Sequence, residues 1–595
     1  MAEILALHRN VQVPRPPRGL VAADEAVIEV VSDSGEGAQT AGQLFGSISA
    51  RMGNSIWTVE IIPAEIEPPP RNTAGASGNR VRVGAFPVTN AGNAADVVVA
   101  FNEQVILGRV IGGDLKPGCV ILLEDKWRAH ADPDIVRDYV TMHDRFLHEG
   151  YCVIEVPMEE QCLKLIDNPR RGKNMFALGL LCHIYDRDVE IAREEIAFVF
   201  QRKKKGQKVI DVNHALFDAG YRWAEENLGF QWSIAPLEIR EPQVVVNGNV
   251  AVAHGIVASG MEVCAMYPIT PATSASHHLS EIFEHVGGVV HQAEDEIAAC
   301  SFAIGSSYAG KCAVTVTSGP GMALKTEMMG LSVMAEIPLV LVNVQRGGPS
   351  TGLPTKVEQG DLLAAIFGTP GDAPKVVMAP STIEDCFYSV ITARKIAETF
   401  RMLVIVLTDA NLATGQQAFV RPKFQAEWLA PPIDQSPVPS DRKPYDWDPV
   451  TGLSPRPIPG QPGGMFTLTG LAHTQNSKVA YEPAVNQRGC EARSRKLAAF
   501  QKTLKAPTVF GDDEGDLLLV GWGSTRGAIE EAVGRARKDG LRVSSLHLKF
   551  LQPMASGIKE ILDRFGRVVC VEMNYSDPEN DDLFDDDNRR YSNLA

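Results

Sequence analysis

No two of the ten cysteines in this 595-residue chain stand in a Cys-x-x-Cys spacing, although they run from Cys119 to Cys570. That spacing is what an iron–sulfur cluster or a zinc ribbon needs, so neither is expected from this polypeptide. The cysteines read instead as reduced core thiols. The histidines, His473 included, show no metal-ligand spacing, so core or surface placement is expected for each and no metal site is assigned. No apolar run approaches the roughly 18 to 20 residues that span a bilayer. The opening Met1–Arg9 has no basic stretch followed by a long apolar core, so a cytoplasmic protein with no membrane partner is expected. Positive charge is also in short supply. Against 73 acidic residues stand 57 Lys and Arg, a formal net charge of −16, which argues against a nucleic-acid partner.

What is present is the composition of a soluble globular protein, 45% hydrophobic and 22% charged, in a chain too long for one core. Residues 20–235 read as an α/β domain. Glu25–Val31 is a buried strand that runs into Ser32-Asp33-Ser34-Gly35-Glu36-Gly37, then a helix to about Met52. Such a turn can present amides to a phosphate, but a lone Gly-x-Gly is more simply a tight turn. Strands at Ala95–Phe101 and Cys119–Glu124 alternate with helical stretches and predict a parallel sheet. A second α/β domain is expected over 243–420. From Pro422 to Pro462 eleven prolines fall in 41 residues, so the segment 421–505 begins as a linker or surface strap, not a helix or central strand. A third domain, 506–595, opens on the strand Asp516–Val520. It continues through a helix at Gly527–Asp539 to a strand at Arg567–Val571. The Asp-rich tail after Asn574 reads as a solvated acidic end.

The most specific stretch is Cys264-Ala265-Met266-Tyr267-Pro268-Ile269-Thr270-Pro271. Here an apolar strand ends in a loop stiffened by two prolines, which fix their own φ and restrict the residues before them. Such a loop can hold the Thr270 hydroxyl in place against a ligand. Glu294-Asp295-Glu296-Ile297-Ala298-Ala299 then opens a small-residue helix that ends near Gly310. Thr317-Ser318-Gly319-Pro320-Gly321 follows, and after it the strand Ile337–Val344 with Gln345-Arg346-Gly347-Gly348-Pro349-Ser350-Thr351-Gly352-Leu353-Pro354-Thr355-Lys356. Arg346, beside two glycines, offers a fork of donors suited to a carboxylate.

In this order these motifs resemble the 2-oxoacid:ferredoxin oxidoreductases, in the form where a γ-type and an α-type domain are fused, and look most like the 2-oxoglutarate:ferredoxin oxidoreductase α subunit. The resemblance implies a multidomain α/β fold: a γ-type domain, a thiamine-diphosphate pyrimidine-binding domain and a transketolase C-terminal-like domain. It implies oxidative decarboxylation of a 2-oxoacid, 2-oxoglutarate more than pyruvate, to an acyl-CoA with reduction of ferredoxin. Branched-chain 2-oxoacid, indolepyruvate and pyruvate versions stay open, as does a non-catalytic assembly subunit. By the resemblance, Glu296 is the catalytic carboxyl that bonds to the cofactor's aminopyrimidine, with Glu294 and Asp295 as competitors. Thr270 and Arg346 bind the substrate. Tyr267, Pro268, Ile269, Thr317, Ser318, Gly319 and Gly321 join Glu296 in lining the cofactor, and Lys356 is a weaker candidate for a second substrate carboxylate.

The family's Gly-Asp-Gly pyrophosphate motif is missing here. The resemblance therefore implies a β subunit that supplies this motif, Mg2+ and a [4Fe-4S] cluster. Thiamine diphosphate would be shared between the two chains in an (αβ)2 assembly, with coenzyme A as co-substrate and ferredoxin as redox partner.

Overall fold

The structure is a computed structural model describing residues 16–63, 68–429 and 432–574. The readings of Met1–Arg9 and of the tail after Asn574 lie outside the described residues. The described residues form two compact units, one of those from 16 to 245 with 415–421, the other of 246–414 with those from 422 to 574.

In the first unit the centre is the strand Glu25–Asp33, buried along almost its whole length. Alternate residues point to opposite faces, so Ile28 and Val30 enter one core while Val27 and Val31 enter another. A strand buried on both faces has to be apolar throughout. The exception, Glu29, is fully buried and held by Arg80 at 2.7 Å and Arg109 at 2.6 Å. The order across this eight-stranded sheet is Cys152–Val156, Leu115–Glu124, Ala95–Ala100, Glu25–Asp33, Ala76–Gly84, Ser55–Ile61, Gln416–Val420 and Gln243–Asn247. The expected parallel pairing holds from Cys152–Val156 to Glu25–Asp33. Beyond that the sheet is antiparallel, Glu25–Asp33 to Ala76–Gly84 and Ala76–Gly84 to Ser55–Ile61. Among the described residues between Ser55–Ile61 and Ala76–Gly84 there is a single 3-10 turn, Thr73–Gly75, and no crossover helix; strands joined without a crossover pair antiparallel.

The second unit carries a seven-stranded sheet in the order Val289–Gln292, Val263–Met266, Ala313–Ser318, Leu339–Gln345, Leu403–Asp409, Val376–Met378 and Phe550–Gln552. All neighbours are parallel except the last pair. A four-stranded sheet, Val509–Phe510, Val543–Leu548, Gly515–Trp522 and Phe565–Val571, shares its core. Leu339, Leu341 and Ile405 pack in one buried cluster with Leu518, Trp522 and Leu546.

Between Val420 and Pro483 the regular structure among the described residues is one short 3-10 turn, Ala426–Trp428, and the bridge His473–Val479. This extended chain is tied down through Glu336, whose carboxylate accepts from Trp447 Nε1 at 2.7 Å, Ser454 Oγ at 2.8 Å and Lys496 Nζ at 2.7 Å. His473 is buried, with Nδ1 2.9 Å from the Leu471 carbonyl and its ring 4.1 Å from that of Tyr445. No helix among the described residues is long and apolar enough to cross a membrane.

Candidate active site

Three neighbouring parallel strands of the second unit, Val263–Met266, Ala313–Ser318 and Leu339–Gln345, end side by side. Ligands in such sheets bind outside the carboxyl ends of the strands. The chain leaving each strand carries one sequence-predicted motif: Tyr267–Pro271, Gly319–Gly321 and Arg346. The fourth, Glu296, begins the helix Glu296–Tyr308 that leads into Ala313–Ser318.

The Tyr267–Pro271 loop is anchored from below. Asn249 Nδ2 donates to the Pro271 carbonyl at 2.8 Å and to Ser274 Oγ at 2.6 Å. Tyr267 and Thr270 stay exposed, while Pro268 and Ile269 are half-buried. The loop is held from the other side by Arg346, whose Nη1 donates to the Thr270 carbonyl at 2.7 Å and whose Nη2 donates to the Thr351 carbonyl at 2.9 Å. Thr270 and Arg346 are therefore brought together. Arg346 is buried, its Nε has no hydrogen-bond partner, and burial lowers its pKa against the opposing charge of Asp361.

The three acidic candidates at the start of the Glu296–Tyr308 helix separate by environment. Glu294 is exposed. Asp295 is the N-cap and accepts from the Ala298 amide at 2.7 Å. Glu296 alone of the three is buried, at 8% exposure. Its side chain lies against the Thr317–Gly321 turn. A Cβ on Gly321 would stand 2.2 Å from Thr317 Oγ1, 2.9 Å from Glu296 Cγ and 3.2 Å from Glu296 Oε1. Glycine is thus required at 321 for this approach, which explains the Gly-Pro-Gly pattern physically. Thr317 and Ser318 are fully buried, and Ser318 Oγ has no partner.

Two residues not singled out from the sequence belong to this cluster. Lys325, fully buried, donates from Nζ to the Glu296 carbonyl at 2.7 Å and fixes the start of the helix; burial lowers its pKa. Asp361 adjoins both halves of the site. A Cβ on Gly319 would meet its carboxylate oxygens at 2.7 and 2.8 Å, and its charge acts on Arg346. Burial raises the Asp361 pKa, against a 2.8 Å hydrogen bond from Asn343 Nδ2. The available signal was Asn343 and Gln345, two polar residues in an otherwise apolar buried strand. Gln345 Oε1 accepts from the Asp361 amide at 3.1 Å. Lys356 is exposed, and its carbonyl accepts from the Gly347 amide at 3.0 Å.

Residues 254–490 match the thiamine-diphosphate-binding family of pyruvate flavodoxin/ferredoxin oxidoreductases, and residues 27–223 match the pyruvate ferredoxin/flavodoxin oxidoreductase family. The 2-oxoglutarate oxidoreductase subunit KorA of Mycobacterium tuberculosis is 35% identical over 577 residues, covering 93% of this chain and 86% of that protein. The chain belongs to the 2-oxoacid:ferredoxin oxidoreductase family. A further relative, the 2-oxoglutarate synthase subunit KorA of Methanothermobacter thermautotrophicus, is 32% identical over 55% of this chain and 87% of its own length. The solved 2-oxoglutarate:ferredoxin oxidoreductase of Magnetococcus marinus, with 2-oxoglutarate, coenzyme A and succinyl-CoA bound, is 31% identical and covers 93% of both chains with a TM-score of 0.81.

The resemblance drawn from the motifs and the multidomain α/β fold are borne out by these matches. Membership makes the chain part of an oxidoreductase acting on 2-oxoacids. The site fits the family's cofactor: a buried carboxyl sits against a turn stripped of side chains, beside a buried hydroxyl with no partner.

Proposed function

We propose that this chain is the fused γ–α subunit of a thiamine-diphosphate-dependent oxidoreductase that converts 2-oxoglutarate and coenzyme A to succinyl-CoA and CO2 while reducing ferredoxin. The observation that carries the reading is the pairing of two preparations at one sheet edge. Glu296 is buried against the side-chain-free Gly321, and Arg346 is anchored on Thr270 with its Nε unpartnered.

Bound thiamine diphosphate supplies a nucleophilic carbon and an electron sink. Glu296 would hold the proton shared with the aminopyrimidine, in a site dry enough to keep it there. Tyr267, Pro268 and Ile269, with Thr317 to Gly321, form the walls on either side. Arg346 and Thr270 orient the 2-oxoacid through its carboxylate and keto group, a guanidinium fork being the group that matches a carboxylate in two parallel bonds. The substrate assignment rests on relatives named for 2-oxoglutarate.

The reading includes a partner β subunit that brings the pyrophosphate motif, Mg2+ and the [4Fe-4S] cluster, in a cytoplasmic (αβ)2 assembly. Support comes from the site's surroundings. Tyr267, Ile297 and Leu324, each adjoining a site residue, are large apolar side chains left 37, 44 and 54% exposed, as at a surface that another chain covers.

The test is acyl-CoA formation by the copurified complex with a panel of 2-oxoacids. The highest kcat/KM is expected with 2-oxoglutarate. An equal or higher value with pyruvate or 2-oxoisovalerate would reassign the substrate.

A further inference from the structure

We propose that His254 and His278 form a site for a divalent transition metal, zinc above all, which braces the two helices that carry the Tyr267–Pro271 loop.

The two histidines stand 24 positions apart, so no ligand spacing marks them in the sequence. The fold makes them neighbours. His254 lies on the helix Gly248–Ala258, and His278 lies on Thr273–Ile282, the helix into which the loop runs. Near the start of the first helix, Asn249 Nδ2 already reaches across to the Pro271 carbonyl at 2.8 Å and Ser274 Oγ at 2.6 Å. Further along the same pair of helices the two imidazoles meet.

Their geometry is that of two ligands on one ion. The Nε2 atoms are 3.3 Å apart. A tetrahedral zinc with Zn–N bonds of about 2.0 to 2.1 Å sets two ligating nitrogens about 3.3 to 3.4 Å apart. The ring centroids are 5.0 Å apart and the planes cross at 69°, so the rings converge without stacking. A hydrogen bond between the same atoms lies at the long end of its range and needs a proton on one Nε2. Moving that proton to Nδ1 of the same ring turns both Nε2 lone pairs toward the metal, with no net proton lost. On His278 the Nδ1 side faces the Glu281 carboxylate at 3.7 Å. A carboxylate there is the outer partner that ligating histidines typically have, and it favours this tautomer.

Ligand chemistry and access choose the ion. Neutral imidazole suits zinc, copper and nickel, whereas Mg2+ and Ca2+ take oxygen ligands. His254 is exposed and His278 partly so, so an ion enters from solvent and keeps water in its remaining positions. Among the described residues no third His, Cys, Asp or Glu completes a ligand group. The site is therefore a two-point brace between helices and not a closed four-ligand centre. It does not depend on the function proposed above.

Zinc titration of the full-length chain against a chromophoric chelator tests the site, with cobalt absorption reporting the ligands. The parent should bind one zinc per chain more than the double variant His254→Gln/His278→Gln. Affinity should fall about tenfold or more in either single variant, since losing an outer partner alone typically costs about 10- to 100-fold. His277→Gln, at an exposed neighbouring position, should bind as the parent does. Glutamine can keep a hydrogen bond between the helices but is a poor zinc ligand, so a folded variant that ignores zinc separates ligation from packing. Zinc, but not Mg2+, should raise the Tm of the parent and leave that of the glutamine variants unmoved, as for an ion bound only by the folded state. Bound cobalt should show no thiolate charge-transfer band. Equal zinc binding by the glutamine variants, cobalt bound wholly through thiolate, or a parent Tm that zinc does not shift overturns the proposal and leaves the two histidines a hydrogen-bonded pair.

Discussion

Glu296 and Arg346 occupy different halves of one site, so their substitutions should fail in different ways. In the proposed function Glu296 acts on the cofactor before substrate arrives. Glu296→Gln should therefore slow proton exchange at the thiazolium carbon by about 10²- to 10⁴-fold, with substrate binding nearly intact. Glu294→Gln, at an exposed position, should leave exchange unchanged. Arg346→Ala should preserve exchange and reduce kcat/KM by on the order of 2 to 5 kcal/mol, the effect of removing one partner of a buried charge pair. Exchange measured by NMR without substrate, beside steady-state kinetics, checks both. Normal exchange in Glu296→Gln would remove it from its role, and impaired exchange in Arg346→Ala would make that arginine a cofactor residue. Both variants were conceivable from sequence, because the Tyr-Pro-Ile-Thr-Pro and Gly-Pro-Gly motifs are local in the chain. Asp361 was not, because its part depends on where the fold sets it against Gly319 and Arg346.

A second residue gives a pH signature. Burial pushes the fully buried Glu124 up to about 7 from an ordinary 4.5, although the charge of Lys173 pulls it the other way. A carboxyl raised in the folded state stabilises most below its unfolded pKa, and that contribution is lost as the pH rises through about 7. Glu124→Gln cannot ionise. Its stability relative to the parent should rise by on the order of 3 kcal/mol between about pH 4 and about pH 8. Thermal unfolding across that range measures it. A difference that does not change with pH would show that Glu124 keeps an ordinary pKa in the folded protein.

At the scale of elements, apolar runs were the readable signal. Glu25–Asp33 and Leu339–Gln345 announce themselves because strands buried on both faces admit few polar residues. The antiparallel half of the first sheet was not readable, since Ser55–Ile61 and Ala76–Gly84 alternate no differently from parallel strands. Nor does the sequence show that Gln416–Val420 pairs with a strand some 360 positions away, through contacts such as Gln416 N to Thr58 Oγ1 at 2.9 Å. Proline density identified the strap after Pro422, but not what fastens it. Glu336 does, and its pKa is held below the ordinary range because Lys496 and two neutral donors outweigh its burial. Lys496→Met would leave that carboxylate buried without its cation, a change that typically costs about 3 to 5 kcal/mol. Lower thermal stability and faster proteolysis within 432–482 are expected. Replacing both partners, Glu336→Gln with Lys496→Met, should cost less than the sum of the single changes. A Lys496→Met protein as stable as the parent would mean the strap is held by its other contacts.

At the scale of the whole molecule, the question is where electrons go once the 2-oxoacid is oxidised. Under the proposed function ferredoxin takes the electrons one at a time, which calls for a one-electron carrier in reach, the part the proposal gives to an iron–sulfur cluster. Iron is bound by thiolates, and the thiols of this chain are poorly placed to become thiolates. Eight of the ten cysteines are buried. Burial pushes Cys162 and Cys264 up to about 12 and Cys300 up to about 11, so at neutral pH each is a protonated core group. With no Cys-x-x-Cys spacing in the sequence, the proposed function assigns the cluster to another polypeptide. Produced alone, the chain should be colourless and without 2-oxoacid:ferredoxin activity. Coproduced with its partner, it should copurify as a brown complex carrying iron, sulfide and thiamine diphosphate. Iron analysis and visible absorption of both preparations decide the matter. Stoichiometric iron in the chain purified alone would place the electron carrier here and overturn the proposed division of labour.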